Sequence, residues 1–145
     1  MKINYINIYN TLINYSRNKD LYLSLTRSET FSDRLIFFLL HFAFYLKNFK
    51  NDQNKRILQD IYDFNFRQLE LSIREIGYGD QSINKKMKDY INLFHSIISE
   101  IHFWDEFKKV EKIEKLTLFL PDFDNFNLNL SKKTLNSYLK SVSKP

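Results

Sequence analysis

Along most of the chain, apolar residues return every three or four positions, the spacing of a helix with one buried face. Ile3, Ile6, Tyr9, Leu12 and Ile13 predict a first helix over residues 3–17, and a short second helix is expected from Leu21 to Leu25. Thr26 to Thr30 is polar and reads as a loop. Ser32 or Asp33 suits the N-cap of the next helix, which runs from Arg34 to about Phe49. This helix is apolar around most of its circumference, which predicts a central, buried position. Asn51 to Gln53 reads as a turn with Asp52 as N-cap, and Ile57, Leu58, Ile61, Tyr62, Phe64, Leu69, Ile73 and Ile76 mark a long helix after it. A further helix starts at about Asp80 with Ile83, Met87, Tyr90, Ile91, Phe94, Ile97, Ile98 and Ile101, continues through Phe107 past Val110, and breaks or bends before Leu116. Thr117 to Leu120 is the one β-prone stretch. Pro121 ends it, Asp122 to Asn129 reads as a loop, and Ser131 caps a last helix from Lys132 to about Val142. Alternating patterns are rare, so the expected fold is all-α: one helical domain over residues 1–145 with five to seven helices.

The only two glycines, Gly77 and Gly79, lie between the two long helical patterns. Glycine supplies a positive φ without steric cost. Gly77 therefore reads as the residue that closes one helix, with Arg74 in its last turn, and Asp80 as the N-cap of the next. The expected result is a long antiparallel αα-hairpin around Gly77 and Gly79. A phosphate-cradling loop would need more glycines and a preceding strand. Arg74, Glu75, Asp80, Lys85 and Lys86 gather around the same turn. They suit either a polar contact surface or simple capping, with charges complementing the helix dipoles.

Composition changes this picture only in part. Hydrophobic residues make up 43% of the 145 and charged residues 27%, as in an ordinary globular domain. There is no cysteine, which removes disulfides, thiol catalysis and thiolate metal sites. The net charge of +5 permits contact with nucleic acid, ribosomes or anionic lipid. An A/T-rich gene would give the same excess of Asn, Ile, Lys, Phe and Tyr, so the charge selects no partner. The N-terminus lacks a continuous apolar segment of the secretory kind, so no signal peptide is expected. The apolar run from Leu35 to Leu46 is shorter than the roughly 20 residues that span a bilayer, so no transmembrane helix is expected either.

No set of residues suggests catalysis. His41 sits inside the apolar helix, where a lone histidine is most simply a hydrogen-bonded core residue. His95 and His102 are separated by about 10 Å of helical rise, too far to grip one metal ion. His102 with Glu106 is a common surface pairing, and no metal is assigned. Lys108, Lys109, Lys112 and Lys115 alternate with Glu106, Glu111 and Glu114, as on a solvated helical face. Lys85, Lys86 and Lys88, and Lys132 and Lys133, form two more basic clusters. There is no recognisable RNA-binding signature, and no cofactor or DNA is expected. The aromatics from Phe37 to Phe49, with Phe64 and Phe66, are too many for one helix face. Most belong in a large core, and some are expected to line a groove.

Several stretches resemble the ubiquinol–cytochrome c chaperone family. Arg34-Leu35 followed by Leu39-Leu40-His41 is similar to the family's Arg-aromatic helix running into a Leu-His pair. Ile57 to Phe64, with Asp60, Tyr62 and Asp63, resembles its apolar-acidic helix. Ile73-Arg74-Glu75-Ile76-Gly77-Tyr78-Gly79-Asp80, then Ile83, Lys85 and Met87, resembles its most specific signature, with Tyr78 in place of a smaller apolar residue. The resemblance runs from roughly residue 9 to residue 100. It implies a non-enzymatic assembly factor for the respiratory cytochrome bc complex. Such a factor would hold a newly made apolar membrane-protein client, cytochrome b, near the ribosome or the inner-membrane surface. It would be cytoplasmic or peripheral to that membrane, as a monomer or in a hetero-complex. Partner binding is then assigned to Arg74, Glu75, Tyr78, Asp80, Lys85 and Lys86, and the structural turn to Gly77 and Gly79. The alternative is a small basic helical module that binds RNA or the ribosome and has no client.

Overall fold

The computed structural model describes residues 4–22, 28 and 30–120. The elements are α1 (Tyr5–Ser16), a 3-10 turn (Lys19–Tyr22), α2 (Phe31–Phe49), α3 (Lys55–Ile76), α4 (Asp80–Ile101), a second 3-10 turn (Trp104–Glu106) and α5 (Lys109–Phe119). Among the described residues there is no strand, and the fold is all-α. The loop over 122–129 and the helix over 132–142 lie outside the described residues, as do positions 23–25 of the short second helix.

α2 is the central helix. Every residue from Phe37 to Phe44 is buried, including His41. The other helices meet it on different sides. Tyr9 of α1 lies edge-on to Phe38 with ring centres 5.6 Å apart. Phe66 of α3 is 6.0 Å from Phe42, and Phe94 of α4 stacks on the same ring at 5.0 Å. A helix with no polar face can be stable only when neighbours cover it all round, and here three helices do so.

Helix ends differ from the expected ones for local reasons. α2 begins at Phe31, capped by Thr30 rather than by Ser32 or Asp33. Thr30 Oγ1 accepts from Asp33 N–H at 3.3 Å, and Asp33 Oδ2 accepts from Thr30 N–H at 2.8 Å. This reciprocal box needs a hydroxyl and, three residues on, a carboxylate, and only Thr30 has that spacing here. Asp52 does not cap α3. The preceding residue is Asn54, whose amide donates to Phe49 O and whose Oδ1 accepts from Asn51 N–H at 2.9 Å. Its side chain thus closes the end of α2. Asp80 is the first residue of α4, and Gly79 stands at the cap in extended conformation.

α4 ends at Ile101 and does not continue past Val110. The chain turns there and buries Trp104 edge-on to Phe44, ring centres 4.8 Å apart. Thr117 to Phe119 is helical, not strand. Leu116 and Phe119, one turn apart, are both buried, and burial of that face overrides the local β-preference. No helix among the described residues is long and apolar enough to cross a membrane.

Candidate functional site

The end of α3 and the start of α4 meet the N-terminus of α2. Gly77 has φ +102° and ψ 16°, and its N–H donates to Arg74 O at 3.0 Å. The left-handed residue turns the chain out of α3 and, with Tyr78 and Gly79, aims it into α4. Across this turn Arg74 Nη1 pairs with Asp80 Oδ1 at 2.8 Å, with Glu70 on the other side of the guanidinium at 3.9 Å. The hydrogen bond to Asp80 raises the Arg74 pKa above its ordinary value; desolvation opposes it, and the negative charges of Glu70 and Asp80 add to the rise.

The apolar residues of the tip divide sharply. Ile73 is 1% exposed, whereas Ile76 is 48% and Tyr78 44% exposed. Lys86 Nζ lies 4.5 Å from the centre of the Tyr78 ring, a cation–π contact that holds the ring against α4. Beside it opens a groove of about 240 Å³ lined by Thr30, Phe31, Ser32, Ile73, Ile76, Tyr78, Lys86 and Tyr90. Ser32 Oγ and Tyr90 Oη, 3.4 Å apart, bridge α2 to α4 at its edge. The groove has aliphatic and aromatic walls, and its lining carries the hydroxyls of Thr30, Ser32, Tyr78 and Tyr90 and the Lys86 ammonium. Such a surface can receive an apolar side chain and hydrogen-bond the backbone beside it.

Of the residues assigned to partner binding, Tyr78 and Lys86 line the groove. Arg74 and Asp80 staple the turn. Glu75 and Lys85 are exposed and form no ion pair among the described residues. Sequence reasoning missed Thr30, Phe31, Ser32, Ile73, Ile76 and Tyr90 as groove residues. Ile76 carried a weak signal, because an apolar residue next to a helix-ending glycine need not be buried. Thr30 to Ser32 carried none, since folding alone brings them to Tyr90.

The other candidates have structural roles. His41 is buried, Nδ1 lies 2.7 Å from Phe37 O, and the ring stacks on Tyr15. Burial lowers its pKa to about 4 against the raising effect of the Phe37 hydrogen bond, so it is neutral at physiological pH. His95 Nε2 lies 3.2 Å from Tyr62 Oη, and His102 packs edge-on to Phe103. Burial and the neighbouring Asp63 charge raise the Tyr62 pKa. Lys112 sits over Trp104, and Lys115 pairs with Glu100 at 2.6 Å. No group of three His, Cys, Asp or Glu residues that could hold a metal occurs among the described residues.

A family model described as ubiquinol-cytochrome C chaperone matches residues 24–102, from just before α2 to the end of α4. The whole groove falls inside that span. No curated protein matches the chain, and no solved structure does.

Proposed function

The chain belongs to the ubiquinol-cytochrome C chaperone family, and from that premise we propose that it is a non-enzymatic assembly chaperone of the cytochrome bc complex whose client is cytochrome b. The observation that supports this reading is the groove between the start of α2 and the α3–α4 turn. It combines apolar walls with the exposed Ile76 and Tyr78 at its mouth. A newly made membrane subunit presents apolar helix faces that must be kept from one another, and helix-in-groove capture is a known way to hold them. Tyr78, Ile76 and Lys86 contact the client, Glu75 and Lys85 flank it, and Arg74 and Asp80 keep the turn in shape. The lysines whose side-chain contacts are described counter the alternative of an RNA-binding module: Lys47, Lys86, Lys112 and Lys115 face protein aromatic rings or carboxylates.

The test is an Ile76→Ser/Tyr78→Ala double variant, with Glu75→Lys/Lys85→Glu as its companion, expressed in the native cell. Both alter exposed side chains, so circular dichroism and thermal midpoint should stay close to the parent's. The expected result is loss of cytochrome b from the co-purified material and less assembled complex, with capture by the parent persisting at high salt. Client capture and complex assembly at parental levels in both variants would refute the assignment. A steep fall of capture with salt would favour the nucleic-acid reading.

A further inference from the structure

A second cavity, of about 120 Å³, lies between α1, the first turns of α2 and the second half of α3. Two arginines line it, Arg17 from the end of α1 and Arg34 from the start of α2, and its apolar walls include Leu35 and Phe38. Neither arginine forms an ion pair or a side-chain hydrogen bond among the described residues. The carboxylate next to Arg34, that of Asp33, is engaged in the cap of α2. Arg34 also stands in the first turn of a helix, where the macrodipole disfavours a cation. Both cations line one cavity, and Arg34 is half-buried there, so an anion in the cavity would offset their charge. Two hydroxyls of the lining, Tyr9 and Ser72, partner each other. Ser72 Oγ donates to Gln68 O at 3.1 Å, and Tyr9 Oη lies 3.5 Å from Ser72 Oγ, at the limit of a hydrogen bond. With the Ser72 proton on Gln68 O, it is Tyr9 Oη that donates to Ser72 Oγ.

We propose that this cavity binds an oxyanion carried on an apolar stem, a phosphate ester or its chemical equivalent, with Arg17 and Arg34 holding the anion and Leu35 and Phe38 the stem. Guanidinium groups suit this chemistry because their planar fork matches the oxygens of phosphate. Phe31 lines this cavity and the client groove alike, so the two sites lie on either side of one side chain.

The experiment titrates the whole protein with phenyl phosphate, with inorganic phosphate and with benzyl alcohol, and follows the thermal midpoint. At ten times its dissociation constant, phenyl phosphate should raise the midpoint by about 4 °C. Inorganic phosphate should give a smaller rise and benzyl alcohol none. The Arg17→Gln/Arg34→Gln variant should lose the phenyl phosphate shift. A shift that survives in that variant overturns the proposal, as does no shift in the parent at up to about 10 mM ligand, the weak limit of specific binding. An equal shift with inorganic phosphate assigns the site to free phosphate and overturns the role of the apolar stem. Should the double variant not fold, Arg17→Gln alone decides. It sits at an exposed helix end, and a phenyl phosphate affinity equal to the parent's would overturn the proposal.

Discussion

The two glycines of the α3–α4 turn should respond to substitution with opposite signs. Gly77 has φ +102°, and a Cβ built on it would meet nothing within 4 Å. The cost of Gly77→Ala is therefore that of forcing an L-residue into the left-handed region, about 1–2 kcal/mol, with no added clash. Gly79 has φ −73° and ψ 163°, an ordinary extended conformation at the cap of α4, again with open space around it. Gly79→Ser removes freedom from the unfolded chain and adds a hydroxyl that can accept from the first turn. Together these should stabilise by about 0.5–1 kcal/mol. For a chain of this size 1 kcal/mol corresponds to roughly 3 °C. The thermal midpoint should fall by about 3–6 °C for Gly77→Ala and rise by about 2–3 °C for Gly79→Ser. Differential scanning calorimetry measures both. Gly77→Asn should lie between Gly77→Ala and the parent, because asparagine tolerates the left-handed region better. Equal midpoints for Gly77→Ala and the parent, or a fall in Gly79→Ser as large as that in Gly77→Ala, would refute the backbone argument.

His41 and Phe94 test the core. Burial depresses the folded pKa of His41 from 6.5 to about 4, so the folded protein refuses a proton that the unfolded chain accepts. Its contribution is present in full above pH 6.5 and declines as pH falls towards 4. Between pH 7.5 and 5 the loss is about 2 kcal/mol, read as a falling thermal midpoint that should flatten in His41→Phe. A parallel pH dependence in parent and variant would place the titrating group elsewhere. Phe94 is fully buried against Phe42, Tyr62 and Phe66. Phe94→Ala should cost about 3–5 kcal/mol in denaturant titrations, and a loss below about 1 kcal/mol would mean that this aromatic cluster is not the centre of the core.

What could be read from the chain itself was whatever depends on neighbours in sequence. Amphipathic spacing is a local property, so α1, α3 and α4 were legible within a few residues at most of their ends. So was the burial of α2, because a helix without a polar face has only one stable place. Gly77 was legible for a similar reason: in a chain that avoids glycine, a glycine after a helical pattern marks a positive φ. The Thr30–Asp33 box is present in the sequence as a spacing, but the sequence also offers Ser32 and Asp33 as caps, and only the extended backbone of Thr30 makes it the cap. Tertiary structure alone decided the rest. α4 stops at Ile101 because the chain must turn to bury Trp104 on Phe44, and the partner is 60 positions away. Thr117 to Phe119 is helical because Leu116 and Phe119 find a core. Asp80 pairs with Arg74 and leaves the cap to Gly79, because the turn brings the two charges within 2.8 Å. The groove joins Ser32 to Tyr90, 58 positions apart, and the second cavity joins Arg17 to Arg34 across two helices. Periodicity tells each helix which face to bury, but it carries no information on which two faces will meet, and both sites are made where faces meet.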